Sequence, residues 1–395
     1  MTTRNKYFKE YFKIFIIFLI SFSIRLYMTS YETYIGVDSI WYVKSAEKLM
    51  AGKIIEGTSL TYPPFYPILI SISSLIFRNI ELAARLVSVF FGSFVILPIY
   101  LLSKRLYDEK VAFITMLLVA FHPILIKWST LILSEITFSF FVVLGIYLGW
   151  VALEEGKRGY FAFSGVLFGL SFLIRQEALF HFLILLGWLW VLYPLFSRRR
   201  YNLKEIVIGG LFLILAFFII ISPFIYVVYI TTGKLSLGSK GIIPFYKYSG
   251  GGGTKFLYGL SEDKTYTVAQ KVFAEGGKLD FGLPSAFEII RVRGNAVFRR
   301  WVLMFRRELF KVLPFAVTPV MLFVIPFAFF RRLCLKDLRN FTYLGSFIVL
   351  FFVVSFCISK SQVSDADGTD NSHFIWYGCE KHHRFSNKSI QQYNV

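Results

Sequence analysis

The run IVIGGLFLILAFFIIISPFIYVVYI, at residues 206–230, contains no Asp, Glu, Lys or Arg. About 20 consecutive apolar residues are enough for a helix to cross the ~30 Å hydrocarbon core of a bilayer. Lipid offers no water to backbone N–H and C=O groups, so a chain that crosses it has to satisfy them internally, and a helix does this. The run therefore predicts a transmembrane helix and a membrane protein.

Apolar runs of this kind recur along the chain, which is 56% hydrophobic and has a mean hydropathy of +0.61. The runs predict nine spanning helices, at residues 11–28, 82–102, 111–126, 136–152, 161–174, 182–195, 206–230, 312–330 and 343–358. A shorter run opens at Pro63 and Pro64, ends near Phe77 and predicts a helix at the membrane interface. The predicted fold class is all-α, a multi-pass transmembrane helical bundle with external juxtamembrane helices.

The charge pattern orients this bundle. The chain carries 43 Lys and Arg against 24 Asp and Glu, a net charge of +19. Basic clusters fall in turns that share a side with the basic N-terminus, at 104–105, 157–158, 198–200 and 331–332. Cytoplasmic loops are enriched in Lys and Arg, so we expect a cytoplasmic N-terminus in a multi-pass protein of the plasma (cell) membrane. The excess charge indicates contact with anionic membrane lipids or phosphate, and nucleic acid is not expected as a partner.

Four regions follow from this topology. They are an N-terminal transmembrane module at 1–230 with an external first loop at 30–64, a large external loop at 231–309, two further spans at 310–358, and a polar tail at 359–395. Within the large loop, residues 285–309 alternate apolar and basic side chains at about helical spacing. That pattern fits equally an amphipathic basic helix on the membrane surface and a solvated helix that leads into the next span.

Two carboxylates are expected on the external face. Asp38 begins a helical stretch that reaches Gly52, and Glu135 lies where the span at 136–152 begins. An acidic residue at a helix start can have a purely structural role, as a cap or as a partner of the helix dipole. For Asp38 taken alone, the spacing favours a cap. Two carboxylates that face one cavity form a sharper pattern, because one of them can take a proton from an acceptor hydroxyl as a general base.

Two arginines are candidates for holding a phosphate group. Arg175, followed by Gln176 and Glu177, interrupts apolar sequence at the outer end of a helical hairpin. A fixed guanidinium there would suit a phosphate, although so short a polar turn also fits a plain connector. Arg85 lies near the outer end of its own span, where the alternative is a side chain that extends to the interface.

The sequence indicates no metal site. The three Cys are widely spaced, His122 and His181 lie at outer span ends, and the remaining three His lie in the tail. None of these residues has the spacing of a zinc or protease motif. No cofactor is predicted, and a divalent metal is left open.

Five sequence elements follow one another between Arg25 and Glu177. They are Asp38 with Tyr42, Ala46 and Gly52; Pro63 and Pro64; Ala84-Arg85-Leu86 with Gly92; Ser134-Glu135; and Gly165, Gly169-Leu170 and Leu173-Ile174-Arg175 with Glu177. In this order they resemble membrane glycosyltransferases of the C-type fold, most closely the protein O-mannosyltransferase and lipid A aminoarabinose transferase group, glycosyltransferase family 39. The aminoarabinose transferases carry a Lys directly before the proline pair, where this chain has Tyr62.

The resemblance implies an external cavity beneath the first loop, which a polyprenyl- or dolichyl-phosphate sugar enters from the lipid. Asp38 would act as the base toward an acceptor hydroxyl on protein, lipid or polysaccharide, with inversion at the anomeric carbon, and Glu135 would support it. Arg175 and Arg85 would hold the donor phosphate. The cavity would be lined by Tyr42, Tyr62, Pro63, Pro64 and Glu177.

Two other functions fit a multi-pass bundle, namely a transporter or lipid flippase and a non-catalytic assembly subunit. A transporter predicts charged residues deep within its spans and repeated halves. Here the charged residues cluster at the outer span ends and no repeat is evident, so we favour the glycosyltransferase.

The tail at 359–395 changes character abruptly, because it is polar and aperiodic. Members of the family would continue with membrane helix at this point. We hypothesise that the tail is a frameshifted remnant of that helix, and the alternative is a genuine disordered tail. Sequencing the gene beyond codon 360 decides between them, since a shifted frame that encodes nothing apolar would exclude the frameshift.

Overall fold

The computed structural model describes residues 3–58, 62–192 and 203–232, together with Leu237 and Tyr343. That part of the chain is helical and contains no strand, which confirms the all-α fold class. The α-helices are α1 Thr3–Thr29, α2 Val37–Met50, α3 Ile54–Gly57, α4 Phe65–Phe77, α5 Ile80–Phe94, α6 Ile96–Leu106, α7 Glu109–Ala120, α8 Pro123–Thr130, α9 Ser134–Glu155, α10 Arg158–Phe172, α11 Ala178–Gly187 and α12 Leu203–Thr232. A π-helical turn, Trp188–Leu192, follows α11.

Several predicted segments lie outside the described residues. They are the large loop beyond Thr232 apart from Leu237, the span at 312–330, the span at 343–358 apart from Tyr343, and the tail at 359–395. The four-region division of the chain therefore stays a prediction.

Four helical stretches of the described residues are long and apolar enough to cross a membrane. They are Phe8–Thr29, Ile80–Leu106, Ser134–Glu155 and Val207–Thr231. The helices that carry these stretches include the predicted spans at 11–28, 82–102, 136–152 and 206–230, which are confirmed as helices of the required length. The shorter predicted helix is present as α4, and its place at the membrane interface stays a prediction.

The predicted span at 111–126 is not one straight helix. α7 and α8 meet at an angle of 52° and together form a broken span or a re-entrant segment. Proline has no N–H to donate to the preceding turn, so the break falls directly before Pro123, the first residue of α8. His122 caps the new helix, because its Nδ1 accepts a hydrogen bond from the Leu125 N–H at 3.4 Å.

The helices predicted at 161–174 and 182–195 also differ from expectation. α10 has 15 residues, which corresponds to about 22 Å along the helix axis. α11 begins at Ala178, before the predicted start at 182. The interruption between them is therefore a tight turn that contains Arg175 and Glu177, and the polar contacts of that turn explain its position.

Close packing holds the later helices together. α10 lies directly against α12, and Gly165 permits this, because a Cβ there would stand 2.3 Å from the carbonyl oxygen of Leu213. Phe182 of α11 stacks on Phe217 of α12, with ring centroids 4.1 Å apart. These contacts fix the two helices that flank the Arg175 turn.

The charged residues gather at opposite ends of the bundle. α9 alone separates the two ends by about 33 Å over its 22 residues. We call one the Asp38 end; it holds Arg25, Asp38, Arg85, Glu135 and Arg175. We call the other the Glu10 end; it holds Glu10, Lys104, Arg105, Glu154, Glu155 and Lys157.

Candidate active site

Asp38 lies in the first turn of α2 and is not its cap. The helix begins at Val37 with Gly36 as the N-cap, and the Gly36 N–H donates to Ser39 Oγ at 3.2 Å. Ser39 Oγ donates in turn to the carbonyl oxygen of Ile132 at 2.9 Å, which ties the start of α2 to the segment before α9. The capping role weighed for Asp38 is therefore filled by a neighbour, and its carboxylate points to other partners.

Tyr62 supplies the hydrogen bond that Asp38 accepts. Its phenolic O–H donates to Asp38 Oδ1 at 2.8 Å, across 24 positions of sequence. Asp38 is half-buried, so one side of the carboxylate faces this phenol while the group keeps some access to its surroundings. This bond joins the first turn of α2 to the residue that precedes the proline pair.

An aromatic cluster surrounds this hydrogen bond. The Tyr62 ring lies parallel to Trp41, with centroids 6.3 Å apart, and meets Tyr42 edge-on at 5.3 Å. Tyr42 also contacts the ring of Tyr66, edge-on, at 4.9 Å. Edge-on and offset contacts of this kind are favourable and restrict ring orientation. We call these four residues the aromatic cluster.

Glu135 reaches the same site from α9. It follows Ser134 at the start of that helix, and Tyr42 Oη lies 2.8 Å from Ser134 Oγ. Burial raises the pKa of the Tyr42 phenol well above its usual range, and the negative charges of Glu135 and Asp38 raise it further. Tyr42 therefore lies in the field of both carboxylates, which places them in one neighbourhood as the sequence predicted.

Arg175 joins the cluster from the turn between α10 and α11. Its guanidinium donates to Glu135 Oε1 at 2.5 Å and to Glu177 Oε1 at 3.0 Å. Burial acts to lower the pKa of Arg175, but the charges of Glu135 and Glu177 raise it by more, so the guanidinium stays ionised. Two carboxylates and one guanidinium carry a net charge of −1 when all are ionised.

The second carboxylate oxygen of Glu135 differs from the first. Glu135 Oε2 is buried and has no hydrogen-bond partner among the described residues. A buried carboxylate oxygen without a donor is costly and is uncommon in folded proteins. This atom is therefore a natural acceptor for a hydroxyl group of a ligand.

The proline pair lies against the Arg175 turn. Pro63 and Pro64 are buried, and the N–H of Phe65 donates to the carbonyl oxygen of Leu173 at 2.8 Å. This bond fixes the segment that carries Tyr62 to the end of α10. The first loop, the proline pair, the start of α9 and the Arg175 turn thus meet at one site.

Arg85 serves the surrounding structure. It is 3% exposed and donates to Glu81 Oε1, to the Thr130 carbonyl oxygen at 3.0 Å and to the Tyr34 carbonyl oxygen at 3.4 Å. It therefore holds the approach to α2 against the end of α8. Within the described part of the chain, Arg85 makes no hydrogen bond or ion pair with Asp38, Glu135 or Arg175.

Arg25 is a residue of this end that the sequence analysis did not select. It is fully buried and donates to Ser129 Oγ at 3.2 Å and to the Ala120 carbonyl oxygen at 2.9 Å. It thereby satisfies a carbonyl at the end of α7, where the span is broken. The available signal was an arginine inside an otherwise apolar run, which membrane helices rarely contain without a reason.

The histidines give no metal site in this part of the chain. His122 caps α8, and His181 is buried in α11 with Nδ1 3.2 Å from the Glu177 carbonyl oxygen. Among the described residues, no group of three or more His, Cys, Asp or Glu side chains is arranged to hold a metal ion.

Comparison with known proteins agrees with this architecture. Residues 61–226 match the family of dolichyl-phosphate-mannose-protein mannosyltransferases. Among solved structures, the chain is similar to the archaeal oligosaccharyltransferase AglB from Archaeoglobus fulgidus in complex with an inhibitory peptide and a dolichol-phosphate. The TM-score is 0.57 at 17% identity, over 91% of this chain and 50% of that chain. The Archaeoglobus fulgidus oligosaccharyltransferase in complex with Zn and sulfate gives a TM-score of 0.49 at 17% identity, over 88% and 50% of the two chains.

Residues 61–226 therefore contain a domain similar to those of membrane glycosyltransferases. The fold is the C-type glycosyltransferase fold, and the matched domain is like those of glycosyltransferase family 39, so the resemblance predicted from the sequence is confirmed. The chain spans half the length of the AglB structure that it resembles. A search of curated proteins finds no match.

Proposed function

We propose that this chain transfers a sugar from a polyprenyl- or dolichyl-phosphate donor to an acceptor hydroxyl, with inversion at the anomeric carbon. The observation that carries the proposal is the meeting of two carboxylates, Asp38 from α2 and Glu135 from α9, around Tyr42. They lie within or beside a domain of a family named for a lipid-phosphate-sugar substrate. The same proposal places the protein in the plasma membrane with a cytoplasmic N-terminus and the Asp38 end outside.

In the proposed reaction, Asp38 is the general base. Its carboxylate takes the proton of the acceptor hydroxyl, and the acceptor oxygen forms a bond to the anomeric carbon of the donor sugar. The bond from that carbon to the phosphate oxygen breaks on the opposite face, and its electron pair leaves with the lipid phosphate. Attack and departure on opposite faces produce inversion.

Glu135 supports this step from the second side of the cavity. Its Oε1 is fixed by Arg175, while the buried Oε2 is available to accept a hydrogen bond from a sugar or acceptor hydroxyl. An acceptor that is already in place costs no reorganisation when the substrate arrives. In this proposal Tyr42, Tyr62, Pro63, Pro64 and Glu177 line the cavity.

Arg175 is the stronger candidate for the donor phosphate. A guanidinium carries five N–H donors, and Arg175 uses two of them in its bonds to Glu135 and Glu177. Arg85 donates to Glu81, Thr130 and Tyr34 through all three of its nitrogens. The side chain of Arg175 is 17% exposed and that of Arg85 only 4%, so a phosphate reaches Arg175 more readily.

Replacement of the base tests the proposal. Asp38→Asn keeps the shape of the side chain and removes its basicity, so sugar transfer from a polyprenyl-phosphate donor in membranes should fall by about 100-fold or more. Glu47→Gln is the matched control, because Glu47 is an exposed carboxylate on the same helix. Transfer by Asp38→Asn at the rate of the unchanged protein, at equal protein level, would remove Asp38 as the base.

A further inference from the structure

We propose that Tyr62 is a positioning residue, whose hydroxyl holds the Asp38 carboxylate in the orientation that proton transfer requires. The inference rests on the proposed function and goes beyond it, because it assigns a defined task to a residue so far placed only in the cavity lining. The contact that carries it is the 2.8 Å hydrogen bond from the Tyr62 O–H to Asp38 Oδ1.

The Tyr62 ring is held in place before any substrate binds. It is stacked against Trp41 and edge-on to Tyr42, so its rotation is restricted on two sides. Its backbone leads directly into two buried prolines, whose φ angles are fixed by their rings. The N–H of Phe65 then ties this segment to Leu173. The phenolic oxygen therefore has a defined position relative to α2.

A fixed donor on Oδ1 gives the two carboxylate oxygens of Asp38 different roles. Asp38 sits in the first turn of α2, and the last torsion of a carboxylate side chain has broad preferences, so a partner is needed to fix its orientation. With Oδ1 held by the phenol, the other oxygen, Oδ2, is presented for the acceptor hydroxyl. A bond of this kind affects the chemical step more than substrate binding, because the phenol reaches the reaction only through Asp38.

The residue type also matters. A lysine at this position would bring a full positive charge against Asp38, whereas a phenol donates a hydrogen bond and adds no charge. Tyr62 thus holds Asp38 without forming an ion pair with it. The consequence is an arrangement in which Arg175 holds Glu135 and Glu177 while Tyr62 holds Asp38.

Tyr62→Phe is the direct test, because it removes the hydroxyl and keeps the ring. The kcat for sugar transfer should fall by about 10- to 100-fold, while the KM values for donor and acceptor stay within about twofold. Tyr34→Phe is the control; Tyr34 is an exposed tyrosine of the same loop, 59% exposed. An unchanged thermal unfolding midpoint in detergent would show that the aromatic cluster has kept its packing.

Two outcomes overturn the inference. If Tyr62→Phe has the kcat of the unchanged protein, the hydroxyl has no positioning role. If the loss lies in a KM while kcat is unchanged, Tyr62 contacts a substrate instead. Both results are interpretable only when Asp38→Asn abolishes transfer; if Asp38→Asn is active, the proposed function itself has failed.

Discussion

The two ends of the bundle use charge in different ways. At the Asp38 end the arginines are enclosed: Arg25 is fully buried, and the side chains of Arg85 and Arg175 are 4% and 17% exposed. At the Glu10 end, Arg105 and Lys157 are 40% and 68% exposed, and they pair with Glu154 and Glu155 at the surface. Enclosed charges cost free energy to bury, and surface pairs cost little.

This difference indicates that the enclosed charges of the Asp38 end serve a purpose that the exposed pairs of the Glu10 end do not. A protein gains little stability by burying several charges, so their presence at the Asp38 end indicates a requirement other than stability. The Glu10 end has one enclosed acid, Glu10, which accepts from Tyr100 at 2.7 Å and pairs with Lys104. The other ion pairs of the Glu10 end, those of Arg105 and Lys157, are exposed in the way that charges at a membrane surface are. The comparison predicts that similar substitutions have unequal effects at the two ends.

The largest effect is expected from Arg175→Gln. This change leaves Glu135 and Glu177 close together without their shared cation, and breaking a buried ion pair typically costs about 3–5 kcal/mol. Sugar transfer should also fall by roughly 100-fold, because Glu135 loses the bond that places it. Thermal unfolding in detergent and transfer assays in membranes measure the two effects.

Arg158→Gln provides the matched control at the Glu10 end. Arg158 is exposed at the other terminus of α10, and its side chain forms no hydrogen bond or ion pair with the described residues. Its loss should leave the unfolding midpoint unchanged. Equal midpoints for the Arg175 and Arg158 variants would mean that the buried cluster contributes no more than a surface charge.

A smaller loss of stability is expected from Gly92→Ala, because Gly92 of α5 packs closely against Ser129 of α8. A Cβ at Gly92 would stand 2.1 Å from Ser129 Oγ and 2.7 Å from Ser129 Cβ. Because Ser129 accepts from Arg25, the added methyl group disturbs both the packing and that hydrogen bond. We expect a loss of about 1–3 kcal/mol in the free energy of unfolding.

A Gly→Ala substitution at the Glu10 end should not lower the free energy of unfolding. Gly159, near the start of α10, has no atom within 4 Å of an added Cβ. Gly159→Ala should therefore be neutral or slightly stabilising, by up to about 1 kcal/mol, because alanine favours a helix. A destabilisation by Gly159→Ala as large as that by Gly92→Ala would show that close contact with α8 does not decide the result.

The smallest effect is expected from Arg105→Gln. Arg105 bridges Glu154 and Glu155 at 2.8 and 2.7 Å, yet its side chain is 40% exposed. Exposed ion pairs contribute less than about 1 kcal/mol, and salt screens them. Unfolding should thus be little changed, and the small difference should disappear at high ionic strength. A loss comparable to that of Arg175→Gln would contradict the contrast between the ends.

Much of the helical framework was predictable, because run length alone decides where a chain can cross lipid. The spans around Ile17 and Phe217 and the start of α9 at Ser134 follow from hydropathy. The break before Pro123 does not follow from hydropathy, because a mean hydropathy over many residues does not register one missing backbone N–H. The early start of α11 was also missed, because polar contacts of the Arg175 turn determine it.

The sequence selected candidate residues of the site but not their contacts. Asp38 and Glu135 were expected to face one cavity and Arg175 was a separate candidate; the structure brings Glu135 together with Arg175, and their roles stay a proposal. The sequence does not indicate that Tyr62 reaches Asp38, or that Arg175 is shared by two carboxylates, because these contacts join different helices. Arg25 was missed because an arginine near a span end resembles one that extends to the interface.

The enclosed guanidinium of Arg25 has a consequence for the synthesis of this protein. Its carbonyl partner at Ala120 lies 95 positions later, and its hydroxyl partner at Ser129 lies 104 positions later. At about 5–20 residues per second, a ribosome needs roughly 5–20 s to supply them. During that interval the hydrogen-bond partners of Arg25 within its own helix, the carbonyl oxygen and hydroxyl of Ser21, are the ones already made. The guanidinium gains its contacts with other helices only when α7 and α8 arrive, so the earliest helix to be made is completed by later ones.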